Sequence, residues 1–558
     1  MTTLTHIARP IEDPIADLKQ CYEALYASGN VPIQNFNSAD GIRSAYLTCL
    51  AVADKSDRAL PGLQAVLRAA IDFEASAVDR PWLASPHKRG LAVQQCIAFD
   101  KIHDWYFKGS ESHFLLQGGA GTGKTYSISQ IIKSLQEING VRFRVAIVAP
   151  THKAVNVVRG FVQKSGLYNV KVCTMQSLLN LRPGAYSANA KRKMVRDEGS
   201  MGDRYENYDL VIADEAGMVG DDMYGQIPTS VRTLFMGDWA QLCPVPDDEL
   251  DRTAEPPLSL VFNTKITFEL TAVHRNDGAI ARTALSLREA MRGGGKFKLF
   301  LEGNLTARKE DKWANLLIES VEGGIDAKAL AFTNARVAAT NAQVRSALFP
   351  GAEKYIAGDK LQAKEPIFKI PDAGEWAAYC EINDISSSRK KPDSDKNKPI
   401  LLQTASECVV LNVGRAELQL WHPLLLGPRV QCYELNVLSD DGLVFSPLAV
   451  HGDSRSAACA YLSELVEVIR KLTPGDRAKH WGAYYSLLED LNLVVKKTKY
   501  LDRLQYGYAI TVHQSQGSTI EFAMPDFANI SKCQAPMMRK QLQMVALTRP
   551  SDRACLLL

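Results

Sequence analysis

The chain has 558 residues, 46% hydrophobic and 23% charged, too many for one core and ordinary for a globular protein of several domains. Its 65 basic and 62 acidic residues leave a net charge of +3, which excludes a globally basic nucleic-acid binder but leaves room for a local basic groove. No apolar run approaches membrane-spanning length, no signal peptide opens the chain, and the 11 cysteines form no Cys-x-x-Cys pair, so free buried thiols in a reducing compartment are expected rather than disulfides or zinc.

Residues 1–87 predict a helical accessory unit. Asp13-Pro14 reads as a cap and first turn, Ile15, Leu18, Tyr22 and Leu25 make an apolar stripe, and Gly29 closes it. Nothing in this unit carries chemistry. Residues 91–99 then predict a short amphipathic helix. There Gln95 either reads an adenine edge with its paired donor and acceptor or is an ordinary solvated helix glutamine.

The stretch Gly118, Gly119, Ala120, Gly121, Thr122, Gly123, Lys124, Thr125 fits G-x-x-x-x-G-K-[ST] and follows the apolar residues 113–117. The helix expected after it carries Ile128, Ile131, Ile132 and Leu135 on one face, suited to packing on a sheet. Glycines allow a tight turn whose N–H groups point inward at phosphates, and the helix N-terminus adds its positive end. Lys124 would neutralise β/γ oxygens and the Thr125 hydroxyl would take one position on Mg²⁺. A mere linking turn is the alternative. The strand and helix on either side argue against it, so a bound nucleoside triphosphate is expected.

Residues 144–150 form a continuous apolar run, as in a buried parallel strand, and lead into Thr151, His152 and Lys153. Polar residues at such a strand's carboxyl end sit where α/β proteins bind ligands, although simple loop decoration fits as well. Thr174 begins the next motif. Residues 181–207 carry Lys191, Arg192, Lys193, Arg196 and Arg204, and read either as a solvated insertion or as a basic hairpin on a phosphate backbone. Residues 209–216 predict a buried strand that delivers Asp214 and Glu215 to its carboxyl end. Asp214 is placed to hold Mg²⁺ through water and Glu215 to deprotonate an attacking water; two adjacent buried acids without a role would be costly.

Residues 234–245 predict another strand, after which Gln241 could reach a γ-phosphate. Residues 328–334 open a second strand–helix alternation. Between 352 and 452, Val-, Leu- and Tyr-rich runs alternate with Gly and Pro turns, as in a small inserted antiparallel barrel, and Leu462, Leu465, Val466, Ile469 and Leu472 mark a helix after it. Residues 508–518 and 544–549 are each apolar, then polar.

In this order the stretches resemble the superfamily 1 helicases, in particular the RecD/Dda-like branch that moves 5′→3′ on single strands. Gln95 fits the glutamine motif, Gly118–Thr125 motif I, residues 149–153 motif Ia, 174–178 motif Ib, 214–218 motif II and 237–245 motif III. His274-Arg275 fits a motif supplying an arginine finger, 332–334 the start of the second motor domain, 513–517 motif V and 545–549 motif VI. The resemblance covers about residues 88–550 and implies an α/β chain with two RecA-like P-loop motor domains, 88–275 and 276–351 with 500–558, the helical unit ahead of them and an SH3-like barrel inserted over 352–499.

It implies ATP and Mg²⁺ in the cleft between the motor domains. Lys124, Thr125, Asp214, Glu215 and Gln241 would act from one side, Arg549 from the other and Arg275 from the joining segment, with Gln516 and Gly517 also at the nucleotide. Thr151, His152, Lys153, Thr174, Asn334, His513 and Gln514 would line a track for single-stranded DNA, and 181–207 would be the wedge that splits a tailed duplex. The implied setting is the cytoplasm of a bacterial or phage-infected cell, without a membrane, with residues 1–87 as a docking module for a replication or recombination protein. The chain departs from the pattern at Gly217, Cys243, Asn276 and Gln514; the last puts an amide where this branch usually carries Lys. Two other functions compete with helicase: a translocase that strips proteins without unwinding, and an ATP-gated nucleic-acid switch.

Overall fold

The computed structural model describes Trp82 and residues 85–558, except 185, 188, 191–193, 197–203, 244–254, 256, 273–277, 383–390, 392–397 and 497–498. The expected helical unit therefore lies outside the described residues apart from Trp82 and its last three positions, as do His274, Arg275 and Asn276.

Six parallel strands form the first sheet, in the order Val170–Thr174, Val145–Ala149, Leu210–Ala213, Arg232–Gly237, His113–Gly118, Thr267–Leu270. The runs 145–149 and 210–213 are buried at every position, because helices or loops cover both faces of such a sheet. The helix Lys124–Asn139 lays Ile128, Ile131, Ile132 and Leu135 on it, each at most 1% exposed. Side chains of this size contribute roughly 2 kcal/mol apiece when buried. On the same core lies Val93–Lys108, a longer helix than expected, through Ala98, Phe99, Ile102 and Trp105.

The second sheet has five parallel strands: Ala509–Thr511, Ala327–Ala331, Ile520–Pro525, Pro550–Leu557 and Leu305–Arg308. Residues 544–548, which by hydropathy alone are an apolar run, are the last turn of the helix Pro536–Thr548, where Met538, Leu542 and Val545 face this sheet at helical spacing. Two parallel sheets of this kind are the two RecA-like halves. The core of the second half also receives Ala240 and Leu242, which follow the fourth strand of the first sheet.

Between the halves in sequence lies an antiparallel sheet, not a closed barrel: its described strands run in an open path, Val444–Phe445, Leu425–Ser439, Glu407–His422, Lys360–Ala363, Leu504–Tyr506, with Leu448–Val450 beside Leu425–Ser439. The expectation of closure came from Val-, Leu- and Tyr-rich runs alternating with Gly and Pro turns. Instead, two of the strands are 16 and 15 residues long and pair as one twisted ribbon, which is too long to curl shut over so few neighbours. The near half of the ribbon encloses one core with Leu361, Leu402 and Phe445. Its far half encloses another with the helices Gly452–Arg470 and Pro474–Asp490. Lys328 ties the second sheet to the ribbon, its ammonium 2.8 Å from both Asp326 and Glu407.

Within 181–207, Leu181–Pro183 and Met194–Arg196 pair antiparallel, so the stretch is a hairpin, while Lys191, Arg192 and Lys193 lie outside the described residues. Tyr186 stacks flat on Tyr485 of the helix Pro474–Asp490, with ring centroids 4.5 Å apart. No helix among the described residues is long and apolar enough to cross a membrane.

Candidate functional site

The strand His113–Gly118 runs through the interior of the first sheet and ends in the glycine loop, which turns directly into the helix Lys124–Asn139. Gly123 is the pivot. Its φ of +80° is left-handed, and a Cβ there would stand 2.2 Å from the Gln95 amide nitrogen. Gln95 is neither solvated nor free: its Oε1 accepts from the Ala92 N–H at 2.9 Å and its Nε2 donates to the Thr122 carbonyl at 3.0 Å. It is 5% exposed and braces the loop from behind. The Thr122 hydroxyl donates to the Gly119 carbonyl at 2.9 Å, and the Lys124 ammonium donates to the carbonyls of Gly118 and Gly119.

Because both ends of the Gln95 amide are used, its removal is expected to loosen the loop rather than to change base preference. Gln95→Ala should weaken ATP and GTP binding by the same factor, about tenfold for the loss of one buried hydrogen-bonded brace. Equilibrium titration with non-hydrolysable ATP and GTP analogues checks this. A selective loss of ATP would instead make Gln95 an adenine reader.

Asp214 and Glu215 leave the carboxyl end of Leu210–Ala213, beside the loop. Glu215 has φ +47°, a left-handed conformation uncommon for a side-chain-bearing residue. The kink turns its carboxylate off the strand line toward the cleft, while its N–H donates to Asp214 Oδ1 at 2.9 Å. Burial raises both carboxyl pKa values above the usual carboxylate range; the Asp214 charge raises Glu215 further, and the charges of Arg549 and Lys124 oppose it. Two half-buried acids with no ion-pair partner among the described residues form a donor set suited to a hard divalent cation and to a polarised water.

Gln241 is 5% exposed, and its Oε1 is buried without a hydrogen-bond partner, on the wall of the same cleft. Opposite, Arg549 follows the helix Pro536–Thr548; its guanidinium donates to the carbonyls of Val545 and Ser518 and to the Thr548 hydroxyl. Burial lowers its pKa and the charge of Glu215 raises it, and a guanidinium stays charged in any case. The cleft between the halves measures about 970 Å³. It gathers Gln95, Gly119, Ala120, Gly121, Gly123, Lys124, Thr125, Asp214, Glu215, Gln241, Gly517 and Arg549. Gly118, Thr122 and Gln516 are not on its wall, and Thr122 and Gln516 are buried.

Two features in or beside this cleft are not evident in the sequence. Val157, Val158 and Phe161 of the helix His152–Lys164, with Tyr126, form an apolar wall suited to a base or sugar. Asp238 holds Arg288 at 2.7 Å, which also reaches Glu269 at 3.1 Å and lies over the Trp239 ring. Arg288 stands 3.2 Å from where a Cβ on Gly119 would be, so a third basic residue borders the loop. A lone Arg in mid-helix carries no sequence signal of this.

The residues expected on the strand track follow the ends of the outermost strand and its neighbour at one side of each sheet. Thr151 and Thr174 follow or close two adjacent strands of the first sheet, and each caps a helix, accepting from Ala154 and Ser177 N–H. His152 and Lys153 begin the helix after Thr151; their side chains are not described. In the second sheet Asn334 is exposed after Ala327–Ala331, and His513 and Gln514 follow the neighbouring Ala509–Thr511. Burial pushes the His513 pKa down to about 4, so the ring is neutral at physiological pH and brings no cation to the track.

A glycine loop on one parallel sheet, facing a buried arginine from a second, defines a P-loop nucleotide-binding protein of two RecA-like halves. Residues 108–247 match the AAA domain family. The ATP-dependent DNA helicase dda of Enterobacteria phage T4 is 26% identical over 279 residues, 47% of this chain and 58% of that protein. The ATP-dependent RecD2 DNA helicase of Deinococcus radiodurans is 27% identical over 192 residues, 34% of this chain and 22% of its own length. A Pif1 helicase from Bacteroides, solved with ADP-AlF3 and single-stranded DNA, aligns over 82% of this chain and 91% of its own at 15% identity and a TM-score of 0.41. The chain is a relative of the superfamily 1 helicases of the Pif1/RecD/Dda branch. It spans less than two thirds of the length of these curated relatives.

Proposed function

We propose that the chain is an ATP-driven motor that translocates 5′→3′ on single-stranded DNA and separates a tailed duplex. The observation that carries the reading is the single cleft in which the glycine loop, Asp214, Glu215 and Gln241 from one half face Arg549 from the other. In this reading the loop N–H groups and Lys124 hold the terminal phosphates, and Thr125 and Asp214 hold Mg²⁺, which supplies positive charge on the β/γ oxygens. The Glu215 carboxylate takes the proton of the attacking water as its oxygen bonds to the γ-phosphorus and the bridging bond to ADP breaks. Gln241 contacts the γ-phosphoryl, and Arg549, with Arg275 as a second finger, stabilises the charge it gathers.

Closing and reopening of the cleft then moves the track residues of one half relative to the other along the strand. Thr151, His152, Lys153, Thr174, Asn334, His513 and Gln514 make mostly backbone contacts, so binding is weakly sequence-dependent and strongly salt-dependent. The domain division follows the sequence: residues 1–87 as a docking module, 88–275 and 276–351 with 500–558 as the motor halves, and an insert over 352–499 that carries the antiparallel sheet, completed by Leu504–Tyr506 from beyond it. The hairpin within 181–207 serves as the wedge. Its stacking on Tyr485 supports that role, because a wedge must be braced against the force of the incoming duplex. The setting is cytoplasmic.

The test is ATP-dependent strand displacement on duplexes with a 5′ or a 3′ single-stranded tail. Displacement from the 5′ tail alone is expected. Displacement from the 3′ tail alone would reverse the polarity. No displacement from either, with hydrolysis still stimulated by single strands, would leave a translocase or switch.

A further inference from the structure

Lys364 follows the strand Lys360–Ala363 of the antiparallel sheet and is 8% exposed. Its ammonium donates to Gln514 Oε1 at 2.7 Å and to Gln362 Oε1 at 3.3 Å. Among the described residues no carboxylate lies within ion-pair distance of it. Glu365, the next residue, pairs instead with Lys496 at 3.4 Å. A buried ammonium is ordinarily paired, because desolvating a cation against neutral amides alone is costly. This one also bears the repulsion of Lys496. An ammonium has three hydrogens, and two are accounted for. The remaining one belongs to a cation held at the carboxyl end of Ala509–Thr511, the edge of the second sheet where Asn334, His513 and Gln514 gather. His513 is neutral there, so Lys364, not the histidine, brings a positive charge to this corner.

We propose that Lys364 binds a backbone phosphate of the single strand beside Gln514, supplying from the inserted sheet a cation that the second RecA-like half does not itself provide at that point. The assignment rests on the single-strand reading above and deepens it. Gln362 and Gln514 act as positioning residues. The Gln362 amide donates to the Ala405 carbonyl, so its Oε1 is fixed toward Lys364, and the Gln514 N–H is tied to the Thr511 hydroxyl. The inserted sheet thereby becomes part of the track rather than a bystander, and a strand passing this corner touches both.

Binding of a fluorescent oligothymidylate is measured over a series of salt concentrations for the wild type and for Lys364→Gln, Lys364→Arg and the exchange Lys364→Gln/Gln514→Lys. The Gln variant is expected to lose about tenfold in affinity and to reduce the slope of log affinity against log salt by about 0.7, the signature of one phosphate contact on a single strand. The Arg variant should keep both, and the exchange should recover most of both, since it returns an ammonium to the same corner, facing the amide introduced at position 364.

A second readout follows from acidity. Burial, with Lys496 adding to it, pushes the Lys364 pKa down to about 8. Affinity of the wild type should therefore be full below that value and fall as pH rises through it, a fall absent from the Arg variant. The groups facing the ammonium are the Lys496–Glu365 pair, the two neutral glutamines, and Arg503, whose carbonyl takes the Lys364 N–H and whose guanidinium is spent on the Leu493 and Pro366 carbonyls. A Gln variant with wild-type affinity and slope overturns the assignment while leaving the motor intact. An affinity loss that neither Arg nor the exchange restores makes Lys364 a structural tie and overturns it too. Wild-type protein that binds no oligonucleotide overturns the single-strand reading itself, and this assignment with it.

Discussion

Glu215→Gln is expected to bind ATP and single-stranded DNA yet hydrolyse at least ~100-fold more slowly, within the 10²–10⁴ range that a positioned general base contributes. The substitution keeps the size of the side chain and leaves the left-handed backbone at 215 and its N–H to Asp214 undisturbed. It removes one of two neighbouring, half-buried negative charges, so nucleotide affinity should hold or improve. What it cannot do is accept a proton. Burial and the Asp214 charge raise the Glu215 pKa, so wild-type hydrolysis should fall on the acid side as the carboxyl takes up its proton, and the residual rate of the variant should be flat there. Single-turnover hydrolysis across pH checks both points. Near-normal turnover would remove Glu215 as the base.

Arg549→Ala carries the other large effect. Removing a guanidinium that stabilises the transferring γ-phosphoryl should cost 10³-fold or more in kcat, with ATP affinity nearly unchanged because the loop and Lys124 do most of the ground-state binding. Arg549→Lys is expected to rescue poorly: the fork that spans the Ser518 and Val545 carbonyls is what aims the charge, and an ammonium has no such fork. Removing a buried arginine also leaves those carbonyls with fewer donors, at about 1–3 kcal/mol each if unsatisfied. Rates are therefore to be compared below the variant's own unfolding range. An unchanged kcat would mean that the cleft closes on a different cation, and Arg288, already beside Gly119, is the residue to examine next.

Much of this was legible in the sequence, for identifiable reasons. Strands 145–149 and 210–213 read as unbroken apolar runs because both faces of a parallel sheet are covered, and the loop 118–125 read as a phosphate cradle because its conformation demands glycine. Both signals are local. What was missed is non-local. Lys364 meets Gln514 across 150 residues of chain, and Arg288 meets Asp238 across 50. Gln95 read as an adenine reader or a solvated helix glutamine, and the acceptor that fixes its amide lies 27 residues on, at Thr122. The barrel failed for a similar reason: hydropathy marks strands but not how they pair, and 407–422 joins 425–439 as one long ribbon instead of curling shut. The last strand of that sheet, Leu504–Tyr506, comes from beyond the insert expected at 352–499.

The loop after the strand Arg232–Gly237 belongs to the first half by chain connection, but Ala240 and Leu242 are interred in the core of the second, and Gln541 of the helix Pro536–Thr548 donates to the Trp239 carbonyl. Swinging the halves apart like a book would strip these two side chains of their neighbours and break that bond. Sliding them along each other would not. Such a packed seam favours shear, a set of small displacements along it, over a hinge. Gln241 sits between the two buried residues on that seam, so the side chain proposed to contact the γ-phosphoryl and the surface on which the halves meet are parts of one four-residue segment, 239–242.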